Sequence, residues 1–217
     1  MDTAKKLPLD IDSILVQFNL PRLRSGDLID QWTTATGTLT EGDMERVKKL
    51  HKKALRSGDG WNEEELKMKF VSILFDVADL EADDKIASFF ERPMTATINH
   101  VRISVICDCL LASSAGIATP RTPYFFLQEF KKQKGDSNDP EAQMLAAMLV
   151  AQYRNADHDG SPSKPIYGAW LVGSIWNFTL LLDTNYYVSR KFDAADLPDL
   201  LQIVYILRKL KELILAR

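Results

Sequence analysis

The order of its apolar segments predicts that this chain has an α/β fold, with a mixed central β-sheet flanked by α-helices. After a helical start the segments alternate as helix, three strands, helix, three strands and helix, and this order suits a sheet covered by helices. The composition agrees, because 46% of the residues are hydrophobic and 26% are charged, as in ordinary globular proteins. A chain of 217 residues can bury a sizeable core, as one domain with an appendage or as two small domains.

The first 60 residues are predicted to form a small all-helical region, followed by an α/β domain over residues 61–217. The apolar residues of DIDSILVQF recur at helical spacing, and Pro21 ends that helix. A short second helix follows it. The third helix begins at Thr40, which makes a capping-box start with Asp43, and it ends at a Ser-Gly pair.

The third helix is strongly basic. Between Met44 and Arg56 it carries six basic side chains against the single acidic Glu45, namely Arg46, Lys48, Lys49, Lys52, Lys53 and Arg56. This pattern has two interpretations: a face that contacts phosphates, or the solvated face of an amphipathic helix. By itself the charge run favours the solvated face.

The α/β domain begins with a long amphipathic helix, WNEEELKMKFVSILFDVADL, whose apolar residues share one face. A later helix, DPEAQMLAAMLVAQY, has Asp139 as N-cap and Pro140 at its first position, and a last helix covers residues 197–215. Strands are predicted where β-branched and aromatic residues gather, over residues 94–100, 102–112, 124–131, 166–173, 175–182 and 186–189.

Charge and cysteine content narrow the class of protein. The net charge of −3 argues against wholesale wrapping of nucleic acid, although a local basic groove stays compatible with it. Two cysteines cannot build a disulfide framework, so we expect a reducing, cytoplasmic compartment. The longest apolar stretch, YGAWLVGSIWNFTLLL, has 16 residues, whereas a membrane helix needs about 20, so we expect no membrane span.

An aspartate interrupts the apolar strand RISVICDCLLA. Asp108 stands in mid-strand, where propensity and burial both disfavour it, and this favours a functional role over a bulge or a sheet edge. Cys107 and Cys109 flank it, so both thiols are predicted to face the side of the sheet opposite to Asp108.

The next strand, PYFFLQEFKKQKGD, places a carboxylate and an amine on one face. Glu129 and Lys131 are two residues apart, which is either a strand that leaves the core or a polar site at its end. Carboxylates on neighbouring strands repel each other, and a bound divalent cation removes that cost. Asp108, Glu129 and the backbone carbonyl of Phe130 therefore make a plausible Mg²⁺ site.

An aspartate on one strand, E-x-K on the next and a glutamine on the following helix together resemble the PD-(D/E)XK nuclease superfamily, which has a restriction-endonuclease-like fold. The matching residues are Asp108, Glu129-Phe130-Lys131 and Gln143. The superfamily also places a glutamate on a helix before the sheet, a role that maps to Glu65, with Glu64 as the alternative. The resemblance covers residue 61 to the C-terminus, and within the superfamily the chain resembles especially the nuclease-like domains of restriction enzymes and related bacterial proteins. Cys107 stands where the superfamily's name has proline.

The resemblance implies a hydrolase, a Mg²⁺- or Mn²⁺-dependent nuclease whose expected substrate is DNA. The implied metal ligands are Asp108, Glu129, Glu65 and the carbonyl of Phe130, while Lys131 positions the nucleophile and Gln143 supports the site. The basic third helix, with Lys132 and Lys134, then becomes a candidate phosphate-binding groove.

Several alternatives stay open. Asn62 and Glu65 themselves form a capping box, so Glu65 has an equally good structural role at the helix start. The domain could be a non-catalytic nuclease-like module that binds nucleic acid or protein, although the intact E-x-K motif argues against this. The helical first 60 residues could be a protein–protein adaptor. The sequence does not determine whether two chains pair as a homodimer to cut both strands.

Overall fold

The computed structural model describes residues 5–83, 85–114, 119–131, 139–159 and 164–216. Within these ranges it shows one mixed sheet with helices on both faces, which confirms the predicted α/β class. The strands are β1 (Lys5–Lys6), β2 (Arg22–Leu23), β3 (Ala87–Ile98), β4 (Val101–Ser113), β5 (Arg121–Lys131), β6 (Ile166–Val172), β7 (Ile175–Leu182) and β8 (Asn185–Asp193). The helices are α1 (Ile11–Phe18), α2 (Asp27–Thr33), α3 (Glu41–Ser57), α4 (Glu63–Leu66), α5 (Ser72–Ala78), α6 (Pro140–Asp159) and α7 (Leu197–Leu215).

The strands follow the order β1-β4-β5-β6-β7-β8-β2 across the sheet, and β3 pairs with β4. Strands β5 and β6 are parallel and are connected through α6, whereas β3–β4, β4–β5, β6–β7 and β7–β8 are antiparallel. The two-residue strands β1 and β2, which the sequence analysis did not predict, add in parallel to β4 and β8. Residues 5–60 therefore contribute to the sheet as well as to the helical layers.

The long helix predicted from residue 61 is broken into three pieces. Asn62 caps α4, a π-helical segment follows over Lys67–Val71, and α5 continues to its end at Ala78. A π-helical turn within an α-helix is rare and often lies at a functional site, because it turns side chains away from their regular positions. Here it begins at a buried lysine.

Two apolar layers cover the sheet. On one face, α2, α3, α5 and α7 bury Trp32, Val47, Leu74 and Leu207. On the other face, α1 and α6 pack over the sheet, and every residue of α6 from Met144 to Ala151 is buried. Among the described residues, no helix is both long enough and apolar enough to cross a bilayer.

Candidate metal centre and basic face

Strands β4 and β5 part at the point where both carry carboxylates. Their antiparallel pairing runs as far as Cys109 opposite Gln128, and the next residues are Asp108 on β4 and Glu129 on β5. Beyond that point β5 continues beside β6, and the N–H of Phe130 donates to Oδ2 of Asp108 over 2.8 Å. A side-chain oxygen thus takes the place of a ladder partner and holds the Asp108 carboxylate between the two strands.

The alternation of side chains between the two faces of the sheet is interrupted at Asp108. Cys107 packs in the layer with α6, whereas Cys109 packs in the layer with α7. The prediction that both thiols face the same side is therefore wrong. Opposite this point on β3, Glu91 has a left-handed backbone with φ of 52°. Such a conformation costs a non-glycine residue about 1–3 kcal/mol, and strain of this kind concentrates at functional sites.

Three carboxylates converge beside the parted strands. They belong to Glu63, the first residue of α4, to Glu91 and to Asp108, and one oxygen of each lies within 4.8 Å of the others. We call these three residues the acidic cluster. Asp108 is buried, Glu63 is half-buried and Glu91 is exposed, so the cluster opens to solvent on one side.

The ammonium group of Lys67 lies inside the acidic cluster. Its Nζ is 3.2 Å from Oε1 of Glu63 and 3.5 Å from Oδ1 of Asp108, and it also donates to Oε1 of Glu91. Burial by itself lowers the pKa of Lys67, but the hydrogen bonds to Glu91 and Glu63 and the charge of Asp108 outweigh burial and raise the pKa. Lys67 is therefore charged at neutral pH and neutralises part of the cluster.

Glu129 is fully buried beside Asp108, and neither of its carboxylate oxygens accepts a hydrogen bond from the residues described here. Burial raises the pKa of Glu129 well above its ordinary value, the charge of Asp108 raises it further, and Lys131 partly opposes both. Lys131 is also buried, with its Nζ 3.9 Å from Oε2 of Glu63. The structure thus brings Asp108, Glu129 and Lys131 together next to the helix glutamate.

The structure places Glu63 at the cluster and turns Glu65 away from it. The Glu65 N–H donates to Oδ1 of Asn62 over 2.8 Å, and Oε2 of Glu65 accepts from the Asn62 N–H over 3.2 Å, which completes the capping box. The other oxygen of Glu65 pairs with Lys69, and the hydrogen bonds from Lys69 and Asn62 lower the pKa of Glu65. The predicted helix carboxylate, Glu65, therefore does not join the cluster, and Glu63 does, because the capping geometry folds Glu65 back over the helix start.

Other predicted site residues lie around this arrangement. Gln143 is in the first turn of α6, and its buried Oε1 accepts no hydrogen bond within the described part of the chain. Phe130 is buried and engages Asp108 through its N–H, while the role of its carbonyl stays a prediction. Lys132 and Lys134 lie outside the described residues.

The sequence analysis missed two members of the cluster. A signal for Glu63 existed, because it follows the N-cap Asn62 directly and precedes Lys67 by four residues, which is the spacing of facing side chains on a helix. Glu64, the named alternative, is 77% exposed and 3.7 Å from Nζ of Lys67, outside the cluster. No sequence pattern pointed to Glu91, because the strand that contains it was predicted to begin only at residue 94.

The donor set fits a hard divalent cation such as Mg²⁺ or Mn²⁺, which prefers carboxylate oxygens. Oxygens that share a Mg²⁺ ion at about 2.1 Å lie at most about 4.2 Å apart. The cluster oxygens lie within 4.8 Å of one another, so a small closure of side chains reaches that geometry. Glu129, outside this group of three but beside Asp108, supplies a further carboxylate without a hydrogen-bond partner in the described chain.

A basic surface lies on α3, facing away from the buried Val47 and Leu50. Its members are exposed, follow i, i+3, i+4 and i+7 spacing, and form no ion pair within the described ranges: Lys49, Lys52, Lys53 and Arg56. We call these four residues the basic face. At the end of α3 a cavity of about 520 Å³ is lined by two of them together with Trp61, Glu65 and Lys69, so it connects the basic face to the helix that carries Glu63.

The fold and this centre define an α/β protein with a partly buried carboxylate site where two strands part and with a basic face on α3. No model of a known protein family matches the chain, and no curated protein shows significant similarity to it.

Proposed function

We propose that this protein is a metal-dependent nuclease that hydrolyses phosphodiester bonds in nucleic acid, with DNA as its main substrate. The observation that carries the proposal is the convergence of the acidic cluster, Glu129 and Lys131 where β4 and β5 part. These groups come from four separate elements. Gathering like charges in a half-buried place costs folding free energy, so a ligand that compensates the charge is the simplest reason for the arrangement.

Each residue has a role that its position supports. Glu63, Glu91 and Asp108 would hold Mg²⁺ or Mn²⁺, and Glu129 would add a carboxylate from the neighbouring strand. A metal ion bound there supplies a Lewis acid that polarises a phosphoryl oxygen and lowers the pKa of its bound water. Lys131, buried beside Glu63, would hold the attacking oxygen or a phosphate oxygen in place through its ammonium group.

The basic face supports nucleic acid as the substrate. Its four cations have no acidic partner among the described residues, so they are available to phosphates. The cavity at the end of α3 connects the face to Glu65 and Lys69, on the side of α4 that faces away from the acidic cluster. A nucleic-acid backbone that lies on the basic face would therefore reach the helix that carries Glu63. We place this activity in the cytoplasm, a setting that the two free, buried cysteines favour.

The test is a cleavage assay on plasmid DNA, single-stranded DNA and RNA in Mg²⁺, Mn²⁺ or EDTA. We expect cleavage of DNA only with metal. Asp108→Asn and Glu63→Gln should each reduce the rate by about tenfold to a hundredfold or more, since even outer-shell changes at metal sites have effects of that size. Glu65→Gln should retain activity, because the structure turns Glu65 away. Wild-type protein and Asp108→Asn that are equally inactive on every substrate would refute the proposal.

Light scattering on the same samples tests for a homodimer.

One observation favours a second candidate, a non-catalytic module that binds nucleic acid or protein. Lys67 already neutralises part of the acidic cluster without a metal. A module of this kind would bind DNA through the basic face and show no calorimetric heat of Mg²⁺ or Mn²⁺ binding. A measurable metal affinity that Asp108→Asn abolishes would exclude it.

A further inference from the structure

Lys67 fills the space among the three oxygens of the acidic cluster. We propose that Lys67 is an internal counter-ion that holds the cluster together in the metal-free protein, and that a divalent cation binds by displacing its ammonium group. The inference rests on the proposed function only in placing the metal at this cluster. It adds that metal binding is an exchange of cations.

The ammonium group engages the same carboxylates that a metal ion needs. Its Nζ is 3.2 Å from Oε1 of Glu63 and 3.5 Å from Oδ1 of Asp108, and both residues belong to the cluster whose ligand oxygens lie within 4.8 Å of one another. An ion bound among those carboxylates would lie next to Nζ. Two cations in contact repel each other strongly in a half-buried place, so ion and ammonium group exclude one another.

The contacts of Lys67 allow it to leave. The distances to Glu63 and Asp108 exceed the roughly 2.8 Å of a good charge-assisted hydrogen bond, and only the contact with Glu91 is closer. On the solvent side Glu64, which is 77% exposed, lies 3.7 Å from Nζ. A lysine side chain is flexible, so the ammonium group can turn toward Glu64 and stay paired after the exchange.

An independent observation is that the ammonium group of Lys67 does not pair with every carboxylate at the site. Glu129 is fully buried, and both of its oxygens lack a hydrogen-bond partner in the described chain. The ion pairs of Lys67 go to the helix glutamates, Glu91 and Asp108, and within the described residues none goes to Glu129. A buried carboxylate without a partner is costly, and a divalent cation next to Asp108 would satisfy it.

The first test compares Lys67→Met with Lys69→Met. Both lysines pair with a glutamate four residues earlier on the same helix, but Lys69 pairs with Glu65 outside the cluster. Calorimetry should show Mn²⁺ binding at least about tenfold tighter for Lys67→Met than for wild type, because the competing state is gone. Lys69→Met should match wild type. In EDTA the melting temperature of Lys67→Met should fall, and Mn²⁺ should raise it more than it raises that of wild type. Binding to Lys67→Met that is equal to wild type or weaker overturns the inference.

The second test uses wild-type protein and does not depend on the folding of a variant. A brief pulse of an amine-acetylating reagent is applied in EDTA and in Mn²⁺, and the modified lysines are quantified by mass spectrometry. Acetylation of Lys67 should rise several-fold with Mn²⁺, while that of Lys69 does not change. Mn²⁺ binding without increased acetylation of Lys67 overturns the inference, as does the absence of Mn²⁺ binding to both wild type and Lys67→Met. Cleavage is scored separately, so exchange without DNA cleavage refutes only the nuclease.

Discussion

Glu129 predicts an unusual effect of a conservative substitution, namely that Glu129→Gln stabilises the metal-free protein. The carboxylate is fully buried, neither of its oxygens accepts a hydrogen bond of ordinary length from a described residue, and the charges of Asp108 and Lys131 both act on it. A buried polar group without a partner costs about 1–3 kcal/mol, and more when it is charged. Glutamine has the same shape and no charge, and its amide can donate to Asp108. We therefore expect a gain of about 1–3 kcal/mol, or roughly 2–4 °C in melting temperature per kcal/mol for a chain of this size.

The sign of the pH dependence follows from the raised pKa of Glu129 in the folded protein. Below the unfolded-state pKa of about 4.3, glutamate is protonated in both states and the charge penalty is absent. As the pH rises from there through the raised native pKa, the unfolded state ionises first, and the wild type loses stability. The advantage of Glu129→Gln should therefore be large at pH 8 and smaller at pH 5.

The assay is urea unfolding in EDTA at both pH values, with Glu141→Gln as the matched control. Glu141 makes a bidentate pair with Arg22, at 2.7 Å and 2.9 Å, so the same substitution there should destabilise the protein by about 1–3 kcal/mol. A Glu129→Gln protein that is less stable than wild type at pH 8, or whose advantage does not shrink at pH 5, would refute this reasoning.

Further predictions concern the surroundings of the site. Replacing all four cations of the basic face by glutamine should weaken DNA binding in EDTA and lower the slope of log K against log salt by up to about 3–4, at about 0.9 per phosphate contact. An unchanged slope in fluorescence anisotropy would count against that face. Asn62→Ala should cost about 1 kcal/mol in thermal unfolding and weaken Mn²⁺ binding in calorimetry, because the capping box fixes the turn from which Glu63 projects. An unchanged Mn²⁺ affinity would show that other contacts position Glu63. A fragment of residues 61–217 should melt without a cooperative transition, since Trp32 and Val47 are buried in one core with α7. A sharp transition would contradict this.

The two strands that carry Asp108, Glu129 and Lys131 could be predicted from the sequence. Asp108 interrupts a strongly apolar run, and Glu129 and Lys131 end one. Alternation in β5 also placed Glu129 and Lys131 on one face, and both are buried near Glu63 or Asp108. Alternation failed in β4, where Cys107 and Cys109 pack in different layers. The break coincides with the left-handed backbone of Glu91 opposite it on β3, a tertiary feature that no local pattern in β4 reports.

The helix glutamate shows a different limit of sequence reasoning. Three consecutive glutamates follow Asn62. The resemblance predicts which helix carries the site glutamate, but it does not predict which of the three side chains faces the sheet. The capping box decides the register physically, because the third glutamate must turn back toward the N-cap. The first glutamate is then left facing Lys67 and the sheet. The capping box of Asn62 and Glu65 thus also selects Glu63 as the glutamate that faces Lys67 and the sheet.

The parted strands also explain why the N-terminal residues belong with the site. Once β5 leaves β4, the far end of β4 needs another partner, and β1 supplies it by pairing with Val101 and Arg102. The N-terminal segment also contacts the start of α6, the helix that carries Gln143. There the side chain of Asp139 accepts a hydrogen bond from the N–H of Ile11 over 3.0 Å. The N-terminal segment thus supports two of the elements that carry site residues. If the N-terminal segment were only an adaptor attached to an independent nuclease domain, those elements would not depend on it. Because they do, we expect loss of this segment to impair cleavage as well as stability.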